Sequence, residues 1–191
     1  MNVIKEEHIK EYEKRVSIIK NVISNAYGDY YCIVAIEQYL KKYKLQGNSV
    51  GKEMCLPAKK FMNTIIRSIE EEFILIVCSL ENKDKTANSI TQLKAKLHDY
   101  LIDFDSYKDN LPKMPPEDDN IKAVRNTAIA HINLDIKCKG TYIDDVKNRL
   151  NILKNCFNSY LFGDMVKYKI NDDLIEKIIR ETRRGVQELF N

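Results

Sequence analysis

Glu70-Glu71-Glu72-Phe73-Ile74-Leu75-Ile76-Val77-Cys78-Ser79-Leu80 is the stretch on which the fold class turns. Its apolar run, residues 73–78, carries enough β-branched side chains to suit a buried strand, and a short apolar run has no period that separates strand from helix. The surroundings decide. Upstream, Met62, Ile65, Ile66 and Ile69 step by three and four, in phase with Phe73, Ile76, Val77 and Leu80. Three glutamates precede the run and no turn residue separates the two parts. The spacing therefore predicts one long helix over residues 57–80, apolar nearly all round toward its end, as expected of the axis of the core.

Working outward, the same rhythm recurs. Ile9, Tyr12, Val16, Ile19 and Ile23 lie on one stripe of a first amphipathic helix. Gly28-Asp29 reads as a break and a cap, followed by a second helix through Ile33, Ile36, Leu40 and Tyr43 that stops at Gly47 and Asn48. Beyond the central helix, residues 82–88 read as a polar connector. Ser89-Ile90-Thr91-Gln92 has the Ser-x-x-Gln form of a capping box before Leu93, Leu97, Leu101 and Phe104. Residues 110–116 hold three of the four prolines and read as a loop. Pro116 suits a first helical position, and Glu117, Asp118 and Asp119 put negative charge on the positive end of a helix dipole, so the next helix is expected to start near Glu117 and run past His131. Gly140 then breaks the chain, and Thr141-Tyr142-Ile143-Asp144 has the form of a capping box with Asp in place of Glu. Ile143, Val146, Leu150, Leu153, Phe157 and Tyr160 form a seam suited to core packing or to a dimer contact. Asn171-Asp172-Asp173 caps a last helix with Ile175, Ile178, Ile179, Val186 and Leu189 facing inward. The expected fold is all-α, a bundle of about six to seven helices, in a single domain over residues 1–191.

Composition agrees. Six Gly and four Pro in 191 residues leave too few turn residues for a β architecture. A formal charge of +3 is too mild to identify a nucleic-acid binder by electrostatics alone. Cys32, Cys55, Cys78, Cys138 and Cys156 are odd in number and include no C-x-x-C spacing, which points to reduced thiols in a cytoplasmic protein without zinc or a disulfide framework. No hydrophobic run reaches the roughly 20 residues that cross a bilayer, and residues 1–7 lack a signal-peptide apolar core, so no membrane role is expected.

The chemistry-bearing stretch is Arg125-Asn126-Thr127-Ala128-Ile129-Ala130-His131. Arginine holds phosphate as a permanent cation, and histidine moves protons near neutral pH. On an ideal helix Ile121, Val124, Ala128 and Ile132 form the buried stripe, with Arg125 about 40° to one side and His131 about 80° to the other. Both flank a packing surface, whereas Asn126 points outward. The rise between Arg125 and His131 is about 9 Å, so two copies of the helix meeting, bent side chains or a local distortion would be needed to bring them onto one atom. The bland alternative is a hydrogen-bonded boundary histidine and a snorkelling arginine. His8 and His98 stand alone and suggest no metal site. Lys137, Lys139, Lys147, Arg180, Arg183 and Arg184 suit either an RNA backbone or a solvated face.

Arg125-Asn126 followed by His131 resembles the R-x(4–6)-H signature of HEPN proteins, and Val124 to His131 is similar to the "RN…AH" core of their abortive-infection branch. The passage Ser79-Leu80-Glu81 through Leu93 is similar to the same branch. The resemblance implies a HEPN-like bundle that dimerises with two motif helices facing across a cleft, and a metal-independent endoribonuclease with no cofactor, serving as a toxin or phage-defence effector. In that reading His131 exchanges the proton of the 2′-hydroxyl or the leaving 5′-oxygen, Arg125 binds the phosphorane-like transition state, and Asn126 orients a partner or substrate. The implied partners are an RNA substrate, a second copy of the chain, and an antitoxin or nucleotidyltransferase. Some such toxins carry a tyrosine two residues after the histidine that is adenylylated. Asn133 stands there, which puts that mode of silencing in doubt and leaves Tyr142 as another target. Asp135, four residues after His131, is placed to tune the imidazole. Two further readings stay open: a module with a degenerate site that binds RNA, a nucleotide or a protein, and a purely structural helical protein.

Overall fold

Residues 73–78 are helical, within a helix that takes in both flanks of the run. The computed structural model describes residues 3–47, 56–116, 118, 119, 121 and 140–190. Among these are six α-helices: α1 (Ile9–Gly47), α2 (Leu56–Leu80), α3 (Ile90–Tyr100), α4 (Asp105–Lys108), α5 (Gly140–Ser159) and α6 (Asp172–Phe190). One 3-10 turn, Glu6–His8, leads into α1 and another, Gly163–Tyr168, joins α5 to α6. β pairing among the described residues is limited to an isolated antiparallel bridge between Ile4 and Leu101. The protein is an all-α helical bundle.

The axis of the bundle is α1 and not α2. With 39 residues, α1 is about 58 Å long, and it packs against α2, α3, α5, α6 and both 3-10 turns. In α2 the neighbours cover Phe73, Ile74 and Val77, whereas Leu75 is left 40% exposed. The run at 73–78 is thus more apolar than its covered arc requires.

The break expected at Gly28-Asp29 does not occur, and the two helices expected there are one. Burial on both sides of the glycine explains this. Ile19, Ile23 and Tyr27 precede it and Ile33 and Ile36 follow it in the core, and the Tyr27 hydroxyl donates to Asn151 Oδ1 (2.6 Å) while that of Tyr30 donates to Asp144 (2.8 Å), both on α5. A helical glycine costs about 1 kcal/mol, less than burying one large apolar side chain contributes. A Cβ at Gly28 would meet nothing within 4 Å. Gly28→Ala is accordingly expected to stabilise the fold by about 0.5–1 kcal/mol, read as a higher urea midpoint at unchanged m.

Other element ends are set by competing partners. Ser89 caps α3 by accepting the Gln92 amide (3.1 Å), but the Gln92 side chain donates across the connector to the Lys83 carbonyl (2.6 Å), so half of the capping box forms. α3 stops at Tyr100 because the chain then pairs with the N-terminal strand-like segment: Lys5 N donates to Tyr100 O (2.9 Å) and Ile102 N to Val3 O (3.0 Å). Leu101 is buried in that bridge, and Phe104 precedes the one-turn α4. Thr141 lies within α5 instead of at a cap, and Asp144 accepts from Tyr30. All six residues of the α5 seam, Ile143 through Tyr160, are buried within this chain. Asn171 caps α6 by accepting the Leu174 amide (3.0 Å). At the other end of α6, Leu189 is 81% exposed, and Phe190, one turn beyond buried Val186, stacks on Tyr39 with ring centroids 4.3 Å apart. The phase of the helix therefore selects the i+4 residue.

Candidate functional site

Arg125, Asn126 and His131 lie outside the described residues, as do Asn133, Asp135, Lys137 and Lys139. Tyr142 falls in the first turn of α5. The described structure supplies the frame that leads into the Arg125–His131 stretch and out of it.

The leader is the proline-rich passage of residues 111–116. Prolines have no amide donor and disfavour helix, so the carbonyls of this extended chain need donors from elsewhere. They receive them from α5 and its end and from α3. Tyr160 Oη and Lys94 Nζ donate to the Pro112 carbonyl at 2.6 and 3.1 Å. The Cys156 thiol points to the Lys113 carbonyl at 3.9 Å. Arg149 Nη2 donates to the Pro116 carbonyl at 2.6 Å, with that of Pro115 at 3.5 Å. Positions 149, 156 and 160 are seven and four apart and so share one face. Burial holds both the Cys156 thiol and the Tyr160 phenol above their ordinary ranges, so each is a protonated donor at neutral pH.

The leader ends in a helix start. Asp119 and Ile121 are helical, and Asp118 Oδ1 accepts the Ile121 amide (3.1 Å), as an N-cap side chain does at the third helical position. The cap is thus Asp118, two residues after Pro116, which therefore lies outside the helix. Ile121 is 3% exposed and belongs to the main core cluster.

Arg149 is itself held. Its Nε lies 3.2 Å from Glu81 Oε2 and its Nη2 bonds Glu81 Oε1, a bidentate pair with side chains 8% and 18% exposed. Glu81 follows the last residue of α2, where the helix dipole disfavours a carboxylate, so the guanidinium also offsets that penalty. The connector around Glu81 is fixed in turn: Thr91 Oγ1 donates to the Glu81 carbonyl (3.2 Å), Ser89 Oγ to that of Asn82 (2.6 Å), and buried Arg15 to that of Ala87 (2.6 Å). Sequence spacing offered no way to pair residues 68 positions apart. The only signal was a charged residue at each of two places where apolar periodicity runs close by.

The remaining sequence candidates have local partners or face solvent. His8 packs by Tyr100 (5.7 Å between rings) and His98 by Phe104 (5.5 Å). Lys147 lies over the Tyr30 ring at 5.5 Å. Arg180 and Arg183 are exposed on α6, and Arg184 pairs with Glu188 at 3.2 Å. Among the described residues, no group of three His, Cys, Asp or Glu side chains is placed to hold a metal ion, and no helix is long and apolar enough to cross a membrane.

A separate cleft of about 360 Å³ lies where α1, α2 and α6 meet, with Ser24, Gly28, Asp29, Glu72, Glu181 and Thr182 on its walls. Its three carboxylates disfavour a polyanion, so this is not where RNA would sit. Asp29 Oδ2 is buried without a hydrogen-bond partner, and burial, followed by the charge of Glu72, pushes the carboxyl up to about 6. A raised carboxyl contributes stability below its unfolded value of 3.8, and that contribution is lost as pH rises through about 6. Asp29→Asn is therefore expected to stabilise the fold at pH 7.5 by about 1 kcal/mol, after allowance for the screening of a partly buried group, and to lose this advantage toward pH 4. Thermal melts at the two pH values check the sign.

Comparison with protein-family models, curated proteins and solved structures returned no match to this chain.

Proposed function

We propose that the protein is a metal-independent endoribonuclease of the HEPN type, acting as a toxin or defence effector. The observation that carries the reading is the order Arg125-Asn126 followed by His131. It is supported by the all-α bundle and by a leader whose carbonyls and helix cap are bonded into the frame just before that stretch.

The chemistry suits these residue types. RNA carries its own nucleophile, the 2′-hydroxyl, so cleavage requires proton transfer and charge stabilisation at phosphorus and no activated water. An imidazole takes the 2′-hydroxyl proton as the oxygen attacks phosphorus. The 5′-oxygen departs and collects a proton, leaving a 2′,3′-cyclic phosphate. Arg125 stabilises the extra charge on the non-bridging oxygens, and Asn126 orients the substrate or its neighbour. Arg125 of one copy and His131 of the other meet at the scissile phosphate, the imidazole first taking the 2′-hydroxyl proton and then returning it to the 5′-oxygen, because one ideal helix holds the two side chains on different flanks. The homodimer thus completes the site, and an antitoxin or a nucleotidyltransferase is the expected class of restraining partner.

The test is RNA cleavage by purified protein in excess EDTA. New ends carrying 2′,3′-cyclic phosphate support the proposal. RNA binding with a steep salt dependence and no cleavage would instead identify a binding module.

A further inference from the structure

We infer that Glu81 and Arg149 act as a positioning pair for the Arg125–His131 stretch, a role that rests on the ribonuclease reading above. The pair is an unusual way to hold a core together. A buried ion pair contributes little to stability compared with apolar side chains of the same volume, because both charges give up their hydration. Its contribution here is direction. Arg149 Nη2 has two hydrogens: one meets Glu81 Oε1, and the other meets the Pro116 carbonyl at 2.6 Å, with the Pro115 carbonyl alongside. The carboxylate thus sets the plane of the guanidinium, and the guanidinium sets the line of the chain two residues before the Asp118 cap. A lysine in place of Arg149 has no planar fork and cannot hold carboxylate and carbonyl in one fixed orientation.

The leader's position matters because the chain runs from it directly into the Arg125–His131 stretch. Arg125 comes four residues after buried Ile121, so its Cα lies within about 14 Å of Ile121 whatever the path. Gly140, where the stretch re-enters described structure, is the first residue of α5, and Arg149 stands nine residues further along the same helix, about 13.5 Å of rise. Both ends of residues 122–139 are therefore referenced to α5. A displacement of about 1 Å in a catalytic group can cost about 10²-fold in rate. Glu81–Arg149 is the contact that holds the end of the leader, at Pro115 and Pro116; Tyr160, Lys94 and Cys156 bond it further upstream.

Two variants test this: Arg149→Lys, and the apolar pair Glu81→Leu with Arg149→Met, which leaves no buried charge uncompensated. Amide hydrogen exchange is followed in residues 113–121, and RNA cleavage is followed under single-turnover conditions. Positioning predicts exchange in residues 113–121 faster by about 10-fold or more, with the middle of α5 unchanged. It also predicts a cleavage rate at saturating RNA lower by about 10- to 100-fold, with the half-saturating RNA concentration within about twofold of wild type. A merely structural role would lower the folded fraction and leave the saturating rate per folded molecule unchanged, which overturns the proposal. Unchanged exchange in residues 113–121 also overturns it. A wild-type protein that does not cut RNA overturns the ribonuclease reading and the positioning role with it, whereas an active wild type with an equally active Arg149→Lys variant overturns the positioning pair alone.

Discussion

His131→Ala is expected to lower the rate of RNA cleavage by about 10²- to 10⁴-fold, the range lost when a general acid or base is removed. Arg125→Ala should bring a loss of the same order, because the charge that develops on the phosphorane oxygens is then left to solvent. Each rate should be normalised to folded protein by circular dichroism. A mixing experiment separates a composite site from an independent one. If each site takes side chains from two copies of the chain, dimers formed from Arg125→Ala and His131→Ala protomers retain one cation and one imidazole and recover activity above either parent. If each chain acts alone, the mixture stays as inactive as its components. Recovery would support the two-copy arrangement inferred from the roughly 120° between the two side chains on an ideal helix.

The largest expected loss of stability comes from Glu81→Ala, at about 3–5 kcal/mol. Arg149 is 8% exposed, so removing its carboxylate strands a buried guanidinium whose remaining partners are the carbonyls of Pro115 and Pro116. Since a domain's whole stability is about 5–15 kcal/mol, much of the population would unfold at 37 °C. The Glu81→Leu/Arg149→Met pair should lie much closer to wild type, because neither charge then needs hydration or a partner. Urea midpoints of the single and paired variants measure the difference. A single variant no less stable than the pair would show that the guanidinium finds water or another anion when Glu81 is removed.

The residues proposed to handle phosphate and protons were legible as types in sequence, because Arg125 and His131 stand at a recognisable spacing on a stretch with helical periodicity. Their supports were not. Tyr160 read as the end of a seam, and Lys94 and Arg149 stood out in no pattern, since nothing local reveals that a hydroxyl, an ammonium and a guanidinium will meet proline carbonyls. In the structure those carbonyls lie at 2.6–3.1 Å from them.

By itself the sequence determined that the chain is helical and which side of most helices is buried. The three-four spacing of Tyr12, Val16, Ile19 and Ile23, and of Ile143 through Tyr160, needs no knowledge of neighbours, because a helix places such residues on one face wherever it packs. Ser89 likewise capped α3 from local chemistry alone. Only the tertiary structure decided that α1 continues through Gly28, because the choice rests on the core burial of side chains on either side of the glycine. It also decided that α3 yields at Tyr100 to pairing with residues 3–5, that α6 turns Phe190 inward in place of Leu189, and that Glu81 finds Arg149. Periodicity encodes a face, whereas the partner that covers it, and the donor that reaches a given carbonyl, depend on residues distant along the chain.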